Sequence, residues 1–141
     1  MSRVFADTFY WVASLSPSDQ WHQAVMDWTR SHSGISIVTT DEVLTEVLTF
    51  YSGFGRARRQ QVVEFTRRIM KRSDIQVIPQ SRESFLAGME LYERRLDKGY
   101  SLTDCIAMHT MRQLNLQESL TNDQHFRQEG FVTVFGGERG G

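Results

Sequence analysis

The chain has 141 residues, which is the size of one domain. Hydrophobic residues make up 40% of it, charged residues 23%, and the formal net charge is −1, which excludes a generic disordered chain. Two prolines and one cysteine exclude collagen-like, mucin-like and disulfide-scaffold proteins. The single cysteine indicates a reducing cytosol, and no apolar run approaches the ~20 residues of a membrane span. We therefore expect a soluble, cytoplasmic protein.

Short apolar runs alternate along the chain with segments of helical periodicity. Five runs predict strands: residues 4–6, 35–38, 75–78, 118–121 and 131–135. The intervening periodicity predicts helices that begin near Phe9, Ser16, Thr39, Arg56, Ser81 and Thr103. This alternation predicts an α/β domain with a mostly parallel sheet of four to five strands and helices on both faces. We expect the domain to cover residues 1–135 and a flexible, Gly-rich tail to cover residues 136–141.

Two helix starts carry strong local signals. Ser16 followed by Pro17 has the residue types of an N-cap and a first helical position. Thr39 and Glu42 stand in capping-box register before the next helix. Its predicted apolar face is formed by Val43, Val47 and Phe50.

A basic stretch follows, with seven bases against the single acid Glu64. The bases are Arg56, Arg58, Arg59, Arg67, Arg68, Lys71 and Arg72. Apolar residues keep helical spacing through it, so the sequence predicts a basic amphipathic helix. This helix could bind RNA phosphates, form a dimer or partner interface, or present a solvated face.

Acidic residues recur where the predicted strands end. Asp7 and Asp123 each follow a strand, Asp104 lies in the first turn of a helix, and Glu46 lies on the helix after the second strand. Ligands of parallel sheets bind at the carboxyl ends of the strands. Four converging carboxylates would repel one another unless cations neutralised them, and oxygen ligands select Mg²⁺ or Mn²⁺. Such a centre would hydrolyse phosphodiesters. The alternative is that these acids are helix caps.

The ordered set of motifs resembles the PIN domain family. It comprises Val-Phe-Ala-Asp7-Thr8, then Glu46, then Leu-Thr-Asp104-Cys-Ile-Ala, then Leu-Thr121-Asn-Asp123-Gln-His-Phe. The most similar subgroup is the VapC-like toxins of toxin–antitoxin pairs. The resemblance implies a three-layer α/β/α fold and a metal-dependent endoribonuclease, with Mg²⁺ as cofactor and Mn²⁺ as a possible substitute.

The resemblance also assigns roles to individual residues. It implies that Asp7, Glu46, Asp104 and Asp123 form the catalytic metal centre, and that Thr8 and Thr121 hold a carboxylate or a water. The implied substrate is single-stranded or loop RNA, such as tRNA or rRNA. The implied partners are a cognate antitoxin and a second copy of the chain. His125 is close to Asp123 and could touch substrate, but the sequence favours a surface histidine.

Several other classes lack their motifs here. There is no GxxxxGK[ST] phosphate loop and no GxGxxG motif. Position 9 is Phe, where a haloacid-dehalogenase-type phosphatase would need a second Asp. DNA-directed and flap nucleases are larger and carry extra helices. The remaining alternative is a non-catalytic RNA- or partner-binding α/β domain.

Overall fold

The computed structural model describes residues 2–136, which form one five-stranded sheet and seven helices. The strands are β1 (Arg3–Ala6), β2 (Ser36–Thr40), β3 (Ile75–Ile78), β4 (Glu118–Leu120) and β5 (Val132–Thr133). The helices are α1 (Thr8–Leu15), α2 (His22–Ser31), α3 (Asp41–Phe50), α4 (Arg56–Lys71), α5 (Arg82–Arg94), α6 (Leu102–Gln113) and α7 (Gln124–Gln128). Residues 137–141 of the predicted tail lie outside the described part.

The sheet is parallel throughout, with the strand order β3-β2-β1-β4-β5. β1 is central and pairs with β2 on one side and β4 on the other. All five strands therefore point their carboxyl ends to the same edge. The α/β class and the parallel sheet predicted from the sequence are confirmed.

The core surrounds β1. Val4, Phe5 and Ala6 are fully buried, although successive side chains of a strand point to opposite faces. Both faces of the sheet are therefore covered by helices, as is usual for a parallel sheet. Burial on both faces explains why β1 is a continuous apolar run instead of an alternating one.

The predicted helix start at Ser16 is wrong. α2 begins at His22, and residues 17–21 form turns. The Ser16 hydroxyl is hydrogen-bonded to the Tyr51 hydroxyl, and Asp19 accepts a hydrogen bond from the backbone N–H of Trp21. The side chains that would have capped a helix are thus occupied by a tertiary contact and a local turn.

The predicted cap of α3 is wrong by one residue. Thr40 is the N-cap, and its hydroxyl accepts from the backbone N–H of Val43. Thr39 belongs to β2, where its hydroxyl donates to the carbonyl of Ala6 and accepts from the indole N–H of Trp11. Two adjacent threonines satisfy the same local pattern, and strand pairing decides between them.

Three smaller differences concern side chains and element ends. Phe50 is 50% exposed and does not share the buried face of Val43 and Val47. β5 covers only Val132–Thr133 of the predicted run 131–135. The short helix α7 was not predicted, because its five residues are too few to show a periodicity.

Within residues 2–136, no helix is both long and apolar enough to cross a membrane.

Candidate active site

The candidate site lies at the carboxyl edge of β1 and β4. Asp7 directly follows β1 and Asp123 follows β4. The two strands are paired neighbours, with Phe5 opposite Ser119 and Ala6 opposite Leu120. Strand pairing thereby brings together two carboxylates that are far apart in sequence.

Asp7 is the most buried acid of this edge, with 7% of its surface exposed. The Thr121 hydroxyl donates to its Oδ2 at 2.9 Å. Burial, followed by repulsion from Asp104 and Glu46, raises the pKa of Asp7 to about 7, although hydrogen bonds from Thr8 and Thr121 act in the opposite direction. Asp7 is therefore a carboxylate whose negative charge lacks compensation.

Glu46 is brought to the site by the second turn of α3. The hydroxyl of Thr8, the first residue of α1, donates to Glu46 Oε1 at 2.6 Å. Because Thr8 adjoins Asp7 in sequence, this hydrogen bond holds the Glu46 carboxylate beside that of Asp7. The repulsion between the two acids reflects this proximity.

Asp104 lies in the first turn of α6 and combines a capping role with a place in the site. The helix is capped by Ser101 and not by Thr103, in a capping box in which Asp104 Oδ2 accepts from the backbone N–H of Ser101 at 3.1 Å. Burial, and then repulsion from Asp123, raises the pKa of Asp104. Its Oδ1 has no hydrogen-bond partner among residues 2–136 and remains free for a ligand.

His125 lies between two of the acids. Its Nδ1 is 3.3 Å from Asp104 Oδ2 and 3.4 Å from Asp123 Oδ1. Asp123 caps α7 by accepting from the backbone N–H of His125 at 2.9 Å. The sequence favoured a surface position for His125 and did not predict its contacts with Asp104 and Asp123. Its position two residues after Asp123 was the one available signal. That signal was weak because His125 lies in the first turn of α7, a helix too short to predict.

The charge of the site is acidic and lacks basic side chains to balance it. Within residues 2–136, the ion pairs include no Arg or Lys partner for the four acids, and His125 is the one basic group in contact with them. Asp104, Asp123 and His125 each offer one ligand atom, and these atoms lie within 4.8 Å of one another. An oxygen-rich donor set with uncompensated charge fits a divalent cation.

A second charged cluster surrounds Glu129, the residue that follows α7. Glu129 accepts a bidentate pair of hydrogen bonds from Arg95, both at 2.9 Å, one from Arg112 at 2.8 Å and one from the Tyr100 hydroxyl at 2.9 Å. Burial of Glu129 opposes its ionisation, but the hydrogen bonds from Arg95, Arg112 and Tyr100 lower its pKa to about 2. The Tyr100 ring also contacts the His125 ring, at a centroid distance of 5.2 Å.

The basic residues predicted to bind RNA lie on α4. Arg56, Arg59, Arg67 and Arg68 are exposed. The Arg58 guanidinium lies over the Tyr51 ring at 5.3 Å, and Arg59 donates to the carbonyl of Ser52. Arg56 and Arg59 line an open groove of about 730 Å³ between the end of α3 and the start of α4. In the described part of the chain, no ion pair links these arginines to the four acids, and their role in RNA binding stays a prediction.

Solved structures share this fold over almost their whole length. VapC20 of Mycobacterium tuberculosis, described as a sarcin–ricin loop cleaving toxin, has a TM-score of 0.81 and 22% identity over 92% of this chain and 96% of its own. VapBC2 of Rickettsia felis, bound to a DNA fragment from its promoter, has a TM-score of 0.64 and 15% identity, covering 93% and 96%. FitAcB of Neisseria gonorrhoeae has a TM-score of 0.66 and 14% identity, covering 92% and 95%.

The comparison with curated proteins gave no match. The family model described as PIN domain matches residues 4–131. That range begins in β1 and ends just before β5, so it contains all four acids and the strands that position them. This chain belongs to the PIN domain family.

Proposed function

We propose that this protein is a metal-dependent endoribonuclease and the toxin of a type II toxin–antitoxin pair. The observation that carries the proposal is the convergence of four carboxylates at one edge of the sheet, with the pKa of Asp7 raised to about 7 by burial and by its acidic neighbours. A folded protein retains such repulsion where a ligand of opposite charge relieves it.

The cation we propose is Mg²⁺, with Mn²⁺ as a substitute, held by Asp7, Glu46, Asp104 and Asp123. When bound, it would activate water and stabilise the charge that develops on a phosphodiester. The protein contributes the positions of the ligands. Thr8 orients Glu46, and Thr121 donates to Asp7 while its oxygen accepts from the backbone N–H of Asp123.

RNA with exposed bases is the substrate we favour, since splayed bases can be read by a protein surface. The description of VapC20 as a sarcin–ricin loop cleaving toxin supports a loop substrate. The exposed arginines of α4 would supply phosphate contacts. We also propose a cognate antitoxin, a homodimer and a cytoplasmic location. The antitoxin is proposed because the fold resembles those of VapBC2 and FitAcB. The cytoplasmic location is proposed because the single buried cysteine suits a reducing compartment.

The test is cleavage of total cellular RNA, mapped by end sequencing, with Mn²⁺ or with EDTA. We expect discrete cuts that need the cation and fall at least ~100-fold in Asp104→Asn, since loss of a metal ligand removes several kcal/mol of transition-state stabilisation. Asn keeps the shape of the cap, so the variant should fold. Asp27→Asn, on the exposed face of α2, is the matched control.

One observation favours a second function. Asp104 and Asp123 both make cap hydrogen bonds, as expected of a non-catalytic RNA- or partner-binding domain whose acids are structural. That function predicts no effect of EDTA and equal behaviour of Asp104→Asn and Asp27→Asn. Either result would contradict the nuclease.

A further inference from the structure

The position of His125 bears on which cation the site binds, an inference that rests on the metal-dependent function proposed above. Its Nδ1 faces two carboxylate oxygens at nearly equal separations, 3.3 Å to Asp104 and 3.4 Å to Asp123. No other basic side chain among residues 2–136 forms an ion pair with the acids of this edge.

The two separations suit ligation of one shared cation. The shorter one, to Asp104, is also a long hydrogen bond, beyond the ~2.7–2.9 Å of a charge-assisted bond between nitrogen and a carboxylate. Two ligand atoms that bind one cation at right angles, each with a bond of ~2.1 Å, lie about 3 Å apart. The ligand atoms of Asp104, Asp123 and His125 lie within 4.8 Å of one another, so one cation can reach all three.

The imidazole is also held in this position by its surroundings. Its backbone is fixed by the cap hydrogen bond from His125 N–H to Asp123, and one ring face packs near the Tyr100 ring. Tyr100 is itself buried and donates to the buried Glu129. A ring oriented by two neighbouring groups loses little freedom when it binds a metal, which is the usual function of the groups around a metal ligand.

We infer that Nδ1 of His125 is a metal ligand, together with the carboxylates of Asp104 and Asp123. A nitrogen ligand shifts the preference of an oxygen site away from Mg²⁺ and towards first-row transition metals. His125 therefore raises the affinity of the site for Mn²⁺ relative to its affinity for Mg²⁺.

The first experiment detects the nitrogen directly, without RNA and without an activity assay. Mn²⁺ is added to the native protein and to His125→Asn, and electron spin-echo envelope modulation is recorded with unlabelled and with ¹⁵N-histidine-labelled protein. We expect histidine nitrogen coupling to Mn²⁺ in the native protein, with the frequency change that ¹⁵N labelling produces, and none in His125→Asn. His32→Gln, an exposed histidine on the surface after α2, should keep the native spectrum.

The second experiment measures affinity by titration calorimetry with Mn²⁺ and Mg²⁺ separately. His125→Asn should weaken Mn²⁺ binding at least tenfold and Mg²⁺ binding less than threefold. Mn²⁺ that binds tightly without histidine coupling, or an equal loss for both cations, would overturn this inference and leave the nuclease intact. A native protein that binds neither cation would overturn both.

Discussion

Two buried carboxylates of this molecule have opposite electrostatic surroundings. Glu129, with 3% of its side chain exposed, receives hydrogen bonds from two arginines and a tyrosine, and its pKa falls to about 2. Asp7, with 7% of its whole surface exposed, receives a hydroxyl hydrogen bond but faces Asp104 and Glu46, and its pKa rises to about 7. The fold neutralises the charge of Glu129 with its own side chains, whereas no Arg or Lys among the described residues 2–136 pairs with Asp7.

Under the function proposed above, the difference separates a structural acid from one that binds a ligand. Buried charge is tolerated where it is paired, and Glu129 meets that condition within the protein. Asp7 does not meet it, as is expected of a residue whose charge is paired by a bound ligand. The two acids should therefore respond in opposite directions to pH and to substitution.

The largest expected effect is that of Asp7→Asn in the cation-free protein. Because the folded protein binds this proton more tightly than the unfolded chain, the contribution of Asp7 to stability is lost as pH rises from about 4 through about 7. Moving the pKa from 3.8 to about 7 corresponds to up to ~4 kcal/mol. The variant should gain up to that amount at pH 8 and almost nothing at pH 3.5, as measured by urea unfolding in EDTA.

Adding Mn²⁺ at pH 8 supplies the control. Native protein should be stabilised by the cation, and Asp7→Asn much less. Parallel stability–pH curves for the two proteins in EDTA would contradict the view that Asp7 carries an uncompensated charge.

Glu129→Gln should lower the free energy of unfolding at neutral pH, opposite to the gain expected for Asp7→Asn. Its lowered pKa means that the carboxylate stabilises the fold above about pH 4.5 and ceases to do so as pH falls towards 2. We expect a loss of about 2 kcal/mol at pH 7. This is less than the ~3–5 kcal/mol for breaking a fully buried pair, because Arg95 and Arg112 are 36% and 46% exposed. Urea unfolding at pH 7 and 2.5 should show the loss shrinking at the lower pH; an equal loss at both would count against the ion pairs.

Thr121→Val tests the one side-chain hydrogen bond that Asp7 accepts among residues 2–136. The fully buried hydroxyl serves Asp7 and the backbone N–H of Asp123, so its loss leaves two groups without a partner and should cost ~1–2 kcal/mol. Thr66→Val is the matched control, since that hydroxyl bonds only to a carbonyl one turn earlier in α4. Equal costs for the two variants, measured by urea unfolding, would refute a special role of Thr121.

The smallest effect is expected for Asp27→Asn. This acid pairs with Arg30 on the exposed surface of α2, and exposed pairs contribute ~0–1 kcal/mol. The change in the free energy of unfolding should stay below ~0.5 kcal/mol and shrink with added salt. A larger loss would mean that ion pairing alone, without burial of the carboxylate, accounts for the stabilisation that Glu129 provides.

The sequence predicted the fold well because the strands contain short apolar runs between helical segments. β1, β2 and β3 could be located to within two residues from these runs, although only β1 is a continuous apolar run buried on both faces. The caps of α2 and α3 could not, because Ser16 bonds to Tyr51 and Thr39 donates from β2 to the carbonyl of Ala6 in β1. Both contacts join residues more than 30 positions apart, where local patterns carry no information.

The same limit applies to the site. Asp7 and Asp123 could be placed because each follows a strand, and Glu46 and Asp104 because they lie on helices that begin near the same edge. The Glu129 cluster had no local signal, since Arg95 and Arg112 precede it by 34 and 17 residues. Their pairing depends on how α5 and α6 pack, which no spacing in the sequence reveals.

The order in which the sheet can be completed has a consequence during biosynthesis. β1, β2 and β3 can pair as soon as the first 78 residues are available, but Thr121 follows Asp7 by 114 residues. At a synthesis rate of ~5–20 residues per second, Asp7 waits roughly 6–23 s for that partner. A growing chain therefore carries an open sheet edge beside Asp7 throughout this interval, and it acquires the candidate active site only when β4 closes that edge.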